Sequence, residues 1–235
     1  MIIFERPDLI IDMEHVGALQ TNCFFIINPK KETVVIVDPG DDGDFLSEKI
    51  VSTGLNPTNI LLTHGHFDHG GGTLPLRLNF PELSLIVPKK DLNLYKNAAK
   101  SASYFGVAID PQAPPTHLVE IRKGQPQFTT INNGADLENF LPDWQWLDTP
   151  GHTPGGISLF HPKHRLLIAG DNIFNFGQIG RTDFKYSDSA KLASSIRTKL
   201  LTLPDNTIVF PGHEEIFNLD IQNKKYLEAA ISLMG

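Results

Sequence analysis

Four short apolar runs in this chain end the same way, in a glycine-flanked histidine or aspartate: "NILLTHGHFDH" (Asn59 to His69), "WQWLDTPGH" (Trp144 to His152), "LLIAGDN" (Leu166 to Asn172) and "NTIVFPGH" (Asn206 to His213). β-branched and aliphatic enrichment over such short lengths reads as strands. A strand that stops at glycine presents the next side chain at the edge of its sheet. The repetition narrows the folds open to the chain. It points to layered sheets that gather His and Asp at strand ends, with helices covering them.

The densest of these ends is "HGHFDH", with three of the chain's nine histidines within six positions. His64 and His66 alternate along the strand end and can face one way, while the turn that follows presents Asp68 and His69 from another angle. One segment can thus feed two neighbouring ions. Gly65 and Gly70 to Gly72 relieve crowding and let the backbone curl around what is bound. Imidazole and carboxylate are the donors that zinc and similar divalent metals take, and each ion needs several of them. His152, Asp171 and His213 supply the remainder from the other strand ends. Taken singly, each is as readily an ordinary turn or cap residue; it is their joint recurrence that argues for a site.

Elsewhere "CFFIIN", "TVVIVDPG", "LSLIVP" and "GISLFHPKHRLLIAGD" read as further strands. Asp44 to Gly54 reads as a crossover helix, "SDSAKLASSIRTKLLTLP" as a helix with a Ser/Asp cap, and "NLDIQNKKYLEAAISLMG" as a last helix. Residues 91–140, richer in Pro, Asn and Gln, form a covering or lid-like insertion or a plain surface excursion. No linker long enough to separate domains is present, so residues 1–235 are expected to form a single domain. The chain carries 40% hydrophobic and 20% charged residues, which suits a soluble globular protein. A formal net charge of -7 favours neither nucleic acid nor an anionic membrane as partner. No run approaches the 18 or so apolar residues of a membrane span. The lone cysteine, Cys23, and a start without a secretory leader point to the cytoplasm.

The ligand motifs, taken together and in order, resemble those of the metallo-β-lactamase-fold hydrolases, and within them the glyoxalase II-like branch. "THGHFDH", "TPGHTPG", the pair Gly170-Asp171 and "PGH" at Pro211 to His213 carry the likeness, which runs from "GALQTNCFFI" to the last helix. The resemblance implies an α/β (α+β) fold, a four-layer αβ/βα sandwich of two mixed β-sheets flanked by helices. It implies two divalent metal ions, zinc foremost with iron or manganese as alternatives. His64, His66 and His152 would hold the first, Asp68, His69 and His213 the second, and Asp171 would bridge them. Asp38, in "VDPG", stands where relatives carry an aspartate near the centre and would orient a ligand histidine.

The activity this implies is attack of a metal-bridging hydroxide on the acyl carbon of a thioester, with Asp68 as both ligand and acceptor of the water proton. The substrate would be a small acyl thioester such as S-lactoylglutathione. Arg181, in "GQIGRTDF", falls where relatives grip a glutathione carboxylate, and it could equally pair with Asp183 in a structural turn. Glu214 and Glu215 stand where short relatives have Gly-Pro, and a single helix follows His213 in place of a longer helical part; both weaken the case for an anionic thiol conjugate. "GRTDF" also resembles persulfide dioxygenases, in which His64, His152 and Asp171 would carry one iron and act on glutathione persulfide. Lactonase-type acyl hydrolysis and an inert metal-loaded binding protein are the remaining readings.

Overall fold

A computed structural model describes residues 1–132, 137 and 140–234. Thirteen strands and seven α-helices form two mixed sheets, of eight and five strands, in the described residues. The eight-stranded sheet runs in chain order. It comprises β1 (Ile2–Arg6), β2 (Leu9–Val16), β3 (Thr21–Asn28), β4 (Thr33–Val37), β5 (Asn56–Leu61), β6 (Ser84–Pro88), β7 (His117–Arg122) and β8 (Gln125–Thr130). The first four strands pair antiparallel, and β4, β5 and β6 pair parallel. The parallel pairs need crossovers, which α1 (Gly43–Thr53) and the two helices α2 (Phe67–Gly70) and α3 (Thr73–Asn79) supply.

Two more helices, α4 (Leu92–Lys96) and α5 (Ala98–Tyr104), precede β7. The five-stranded sheet has the order β13 (Phe217–Leu219), β12 (Thr207–Pro211), β11 (Leu166–Gly170), β10 (Ile157–His161), β9 (Gln145–Asp148). Its one parallel pair, β11 with β12, is bridged by α6 (Ser189–Ser195), which continues as a π-turn over Ile196–Leu200. Asp188 caps α6 by accepting from the Lys191 N–H, and Asp220 caps the last helix, α7 (Ile221–Ser232), by accepting from the Asn223 N–H.

The chain divides into two compact units, one of Met1–Val87, Leu92–Val119 and Phe128–Asp136, the other of Pro88–Asp91, Glu120–Gln127 and Leu137–Gly235. In the first, β3 is buried along nearly its whole length, which is why "CFFII" is uninterrupted apolar sequence rather than an alternation. Cys23, Phe25, Ile36, Ile60 and Leu85 meet Leu46 and Ile50 of α1 in one core. Burial, and then the charge of Asp38, push the Cys23 thiol well above its ordinary range, so it stays protonated and packs as a small apolar group. In the second unit, Leu167, Ala169 and Val209 of the sheet meet Leu192 and Ile196 from the α6 region and Leu227 and Ile231 of α7.

The segment 91–140 holds α4, α5, β7 and β8 joined by irregular stretches; residues 133–136, 138 and 139 fall outside the described ones. Among the described residues no helix is long and apolar enough to cross a membrane.

One charged cluster ties α1 to its sheet. Lys49 Nζ lies 2.9 Å from Asp12 and 2.6 Å from Glu14, and sits over the Phe25 ring. Burial pushes both carboxyls up, but hydrogen bonds from Lys49 and the amino terminus outweigh it, and both end below the usual carboxylate range. The Lys49 ammonium is opposed by burial and ends above its ordinary value through the same pairs. The lowered carboxyls stabilise the fold above their unfolded pKa near 4 and lose that contribution as pH falls through the folded values. The raised lysine contributes below its unfolded value and loses it above. Lys49→Met is therefore expected to cost about 1–2 kcal/mol in urea unfolding at pH 7, with the difference from the parent shrinking below about pH 4.

Candidate metal centre

Each unit assembles its own share of the candidate ligands. In the first, β5 ends at Leu61, earlier than the sequence pattern suggests, and Leu62 to His66 run on outside the strand. The early stop has a local cause. The N–H of Thr63 donates to Asp38 Oδ1 at 2.7 Å instead of to a neighbouring strand, and its hydroxyl donates to Asp38 Oδ2 at 2.6 Å. His64 and His66 therefore stand on a turn, with His64 Nε2 3.0 Å from His66 Nδ1. The helical turn α2 then carries Asp68 and His69, whose Nε2 lies 3.8 Å from Asp68 Oδ2.

Buried partners fix the imidazoles. Thr63 Oγ1 is 3.0 Å from His64 Nδ1, and Asp38 Oδ2 is 3.0 Å from His69 Nδ1. The Thr63 contact engages Nδ1 of His64 and leaves its Nε2 as the donor that faces the cluster. Asp38 itself has φ of 53°, a left-handed conformation that Asp adopts more readily than most residues. Atoms of Asp38, His64 and His69 all lie within 4.8 Å of one another.

The glycines here serve close approach rather than a special turn. A Cβ on Gly40 would sit 2.0 Å from the Asp68 carbonyl oxygen, and one on Gly71 would sit 2.2 Å from the Gly40 carbonyl oxygen. The "VDPG" segment thus lies backbone to backbone against the ligand turn, and the Gly72 N–H donates to Pro39 O at 2.8 Å.

In the second unit Asp171 follows β11, His152 lies in the turn after β9, and His213 follows β12. The Nε2 atoms of His152 and His213 are both 3.5 Å from Asp171 Oδ2. Two tetrahedral donors on one zinc-sized ion, with bonds of 2.0–2.2 Å, stand about 3.4 Å apart. The distances from Asp171 to the two imidazoles are therefore those of donors that share a zinc-sized ion. His152 Nδ1 is 2.8 Å from the Arg181 carbonyl oxygen, which again leaves Nε2 for the ion.

Asp91 and Asn172 hold these turns, and no motif marks either of them. Asp91 is fully buried and accepts from Thr153 Oγ1 and from the Gly155 N–H, both at 2.6 Å, pinning the "GHTPGG" turn. Asn172 Nδ2 donates to the Ala169 carbonyl at 2.6 Å and to Thr149 and Ser158.

The Arg181 guanidinium is two-thirds exposed, donates to both carboxylate oxygens of Asp183 at 3.0 and 2.8 Å and lies over the Phe184 ring. Its hydrogen bond with Asp183 holds the guanidinium further above its ordinary value and the Asp183 carboxyl below its own. Glu214 and Glu215 are exposed, and Glu214 takes a left-handed φ of 65°. Of the histidines outside the motifs, His117 is buried against Thr116 Oγ1, and His161 packs between Trp144 and His164.

Sheet order, crossovers and donor sets of this kind define a class. The chain matches the Metallo-beta-lactamase superfamily over residues 16–213 and belongs to it. It is a metallo-hydrolase of that fold, with a His/Asp set suited to divalent metals. Among its relatives, the hydroxyacylglutathione hydrolase GloC of Haemophilus influenzae is 35% identical over 86% of this chain and 90% of its own length. The probable metallo-hydrolase YqgX of Bacillus subtilis is 35% identical over 84% and 87%. Among solved structures, TTHA1623 in a di-iron-bound form has a TM-score of 0.75 at 32% identity, covering 93% of this chain and 96% of its own.

Proposed function

We propose that the protein is a dinuclear, metal-dependent thioester hydrolase acting in the cytoplasm on small hydroxyacyl-glutathione conjugates such as S-lactoylglutathione. The observation that carries this reading is the convergence of His152 and His213 on one oxygen of Asp171, in a chain 35% identical to a named hydroxyacylglutathione hydrolase. His64, His66 and His152 would hold one ion, Asp68, His69 and His213 the other, and Asp171 both. A single-iron site of His64, His152 and Asp171 leaves His213 with no part, although it stands as near Asp171 as His152 does. Zinc suits the nitrogen-rich set, and iron is the alternative that the di-iron relative supports.

When bound, such an ion pair supplies a nucleophilic oxygen near neutral pH and polarises the acyl carbonyl. Asp68, at the first turn of α2, accepts or orients the proton of the attacking water. Thr63 and the Arg181 carbonyl keep His64 and His152 in the tautomer that offers Nε2. The Arg181 fork would grip a carboxylate of the thiol portion in place of Asp183. That exchange costs little, because an ion pair with both partners about two-thirds exposed is screened by solvent.

Protein purified without added metal is expected to contain two divalent ions per chain and to hydrolyse S-lactoylglutathione with kcat/KM of about 10^4 M^-1 s^-1 or more, an activity that EDTA removes. One ion per chain with no chelator-sensitive hydrolysis would sink the reading, and oxygen uptake with glutathione persulfide would replace it with the dioxygenase.

A further inference from the structure

α2 is a helix of four residues, and a single turn carries too few hydrogen bonds to hold its own conformation. What packs on it decides where it presents Asp68. The residues just before it have their own anchor, since the Thr63 N–H and hydroxyl donate to Asp38 and Thr63 Oγ1 meets His64. α2 has a different one.

Phe67, directly before Asp68, is nearly fully buried and packs on Ala98 and Ala102 of α5. Its ring stacks on Phe105, the residue that closes α5, with centroids 5.8 Å apart and planes 27° apart. The two alanines leave the room on α5 that a phenyl ring fills. At the other end of α2 the Gly70 carbonyl accepts from Thr73 Oγ1 at 2.8 Å. The hydroxyl of Tyr95, on α4, stands 3.0 Å from Thr73 Oγ1 and 2.7 Å from the Ala113 carbonyl oxygen. Burial pushes that hydroxyl above its ordinary value, so it stays protonated. The Tyr95 ring also lies against Gly70, where an added Cβ would come 3.0 Å from it. Contacts from α4 and α5 therefore reach the chain on both sides of Asp68.

We propose that α4 and α5 form a brace that sets the placement of Asp68, with Phe105 and Tyr95 as positioning residues acting through Phe67 and Gly70. The inference rests on the two-metal reading and gives the ligands of this unit separate supports: Asp38 and Thr63 for His64, the brace for Asp68. Loss of the brace weakens the ion that Asp68 would hold and spares the one that His64 would hold. A stacked aromatic pair contributes up to about tenfold in an equilibrium beyond the area it buries, and one hydroxyl hydrogen bond about threefold.

The test is chelator competition on zinc-loaded protein, with Asp68→Asn marking the release step that belongs to Asp68. Phe105→Ala is expected to weaken that step by about tenfold and to leave the other within about twofold, and Tyr95→Phe to weaken the same step by about threefold. Phe105→Tyr keeps the stacked ring at a position nearly half exposed, and should restore parent behaviour. Ile50→Val, in the separate core under α1, lowers stability and should shift neither step against the other. Equal weakening of both steps by Phe105→Ala, weakening confined to the other step, or none at all would overturn the proposal.

If fewer than two ions bind, the two-metal reading falls. In that case, or if both ions leave in one step, amide hydrogen exchange of the metal-free protein decides the brace by itself. The His69 N–H, which donates to the His66 carbonyl at 3.2 Å, should exchange about tenfold faster in Phe105→Ala than in the parent, with the Thr63 N–H at the parent rate. An unchanged rate at His69, or the same acceleration at both amides, would overturn it.

Discussion

Asp171→Ala is expected to lower kcat/KM for thioester hydrolysis by about 10^3-fold and to reduce the bound metal from two ions per chain to one or fewer. One oxygen of this residue stands 3.5 Å from both His152 Nε2 and His213 Nε2, so its loss leaves two imidazoles with no shared carboxylate between them. The fold should tolerate the change. The turn after β11 is held by Asn172, whose amide bonds to Ala169, Thr149 and Ser158 do not pass through the Asp171 side chain. Unfolding of the metal-free variant is accordingly expected within about 1 kcal/mol of the metal-free parent. Asp171→Asn keeps an oxygen donor but not its charge, and should fall between the two in metal content. Parent-like metal content with kcat/KM within tenfold would show that Asp171 does not bridge.

How much of this could be read from the residues depends on how local the determining interaction is. The central strands were legible because burial on both faces leaves an unbroken apolar run, as in "CFFII" and "TVVIV". The helices α1, α6 and α7 announced themselves by spacing and by flanking acidic or glycine residues. β8, "QPQFTT", carried no such mark, since no residue in it is fully buried. β13 is only three residues long.

The ligand turn was legible in composition but not in conformation. His64 and His66 look like alternating strand residues, yet Asp38, 25 positions before Thr63, takes the Thr63 N–H and ends the strand's pairing. Asp91 had no signal, because it meets Thr153 from 62 positions away. Arg181 was noticed for its guanidinium. Its nearest contact with a candidate ligand is made by its carbonyl oxygen, an atom every residue has and no motif can flag.

That carbonyl leads to the other large effect, at Gly180. A Cβ at this position would lie 1.9 Å from the Asp171 carbonyl oxygen and 3.2 Å from His152 Nδ1. The first distance is far inside any tolerable contact and involves backbone, so no side chain can swing aside to relieve it. The chain must shift, and it carries the Arg181 carbonyl with it. Gly180→Ala is therefore expected to destabilise the protein by about 3 kcal/mol. It should also weaken metal binding by about 10- to 100-fold, because His152 loses the acceptor that fixes its ring.

Gly54→Ala separates this effect from a general penalty. Gly54 has φ of +68° and nothing within 4 Å of an added Cβ, so its substitution costs backbone strain of about 1 kcal/mol and touches no ligand. Chelator competition on the two variants reads the difference directly. Gly180→Ala should release its metal at lower chelator concentration while Gly54→Ala tracks the parent. Equal release from both would mean that the glycine before Arg181 serves folding alone. The "GRTDF" turn would then owe its relation to the site to its side chains, with Arg181 the first to examine.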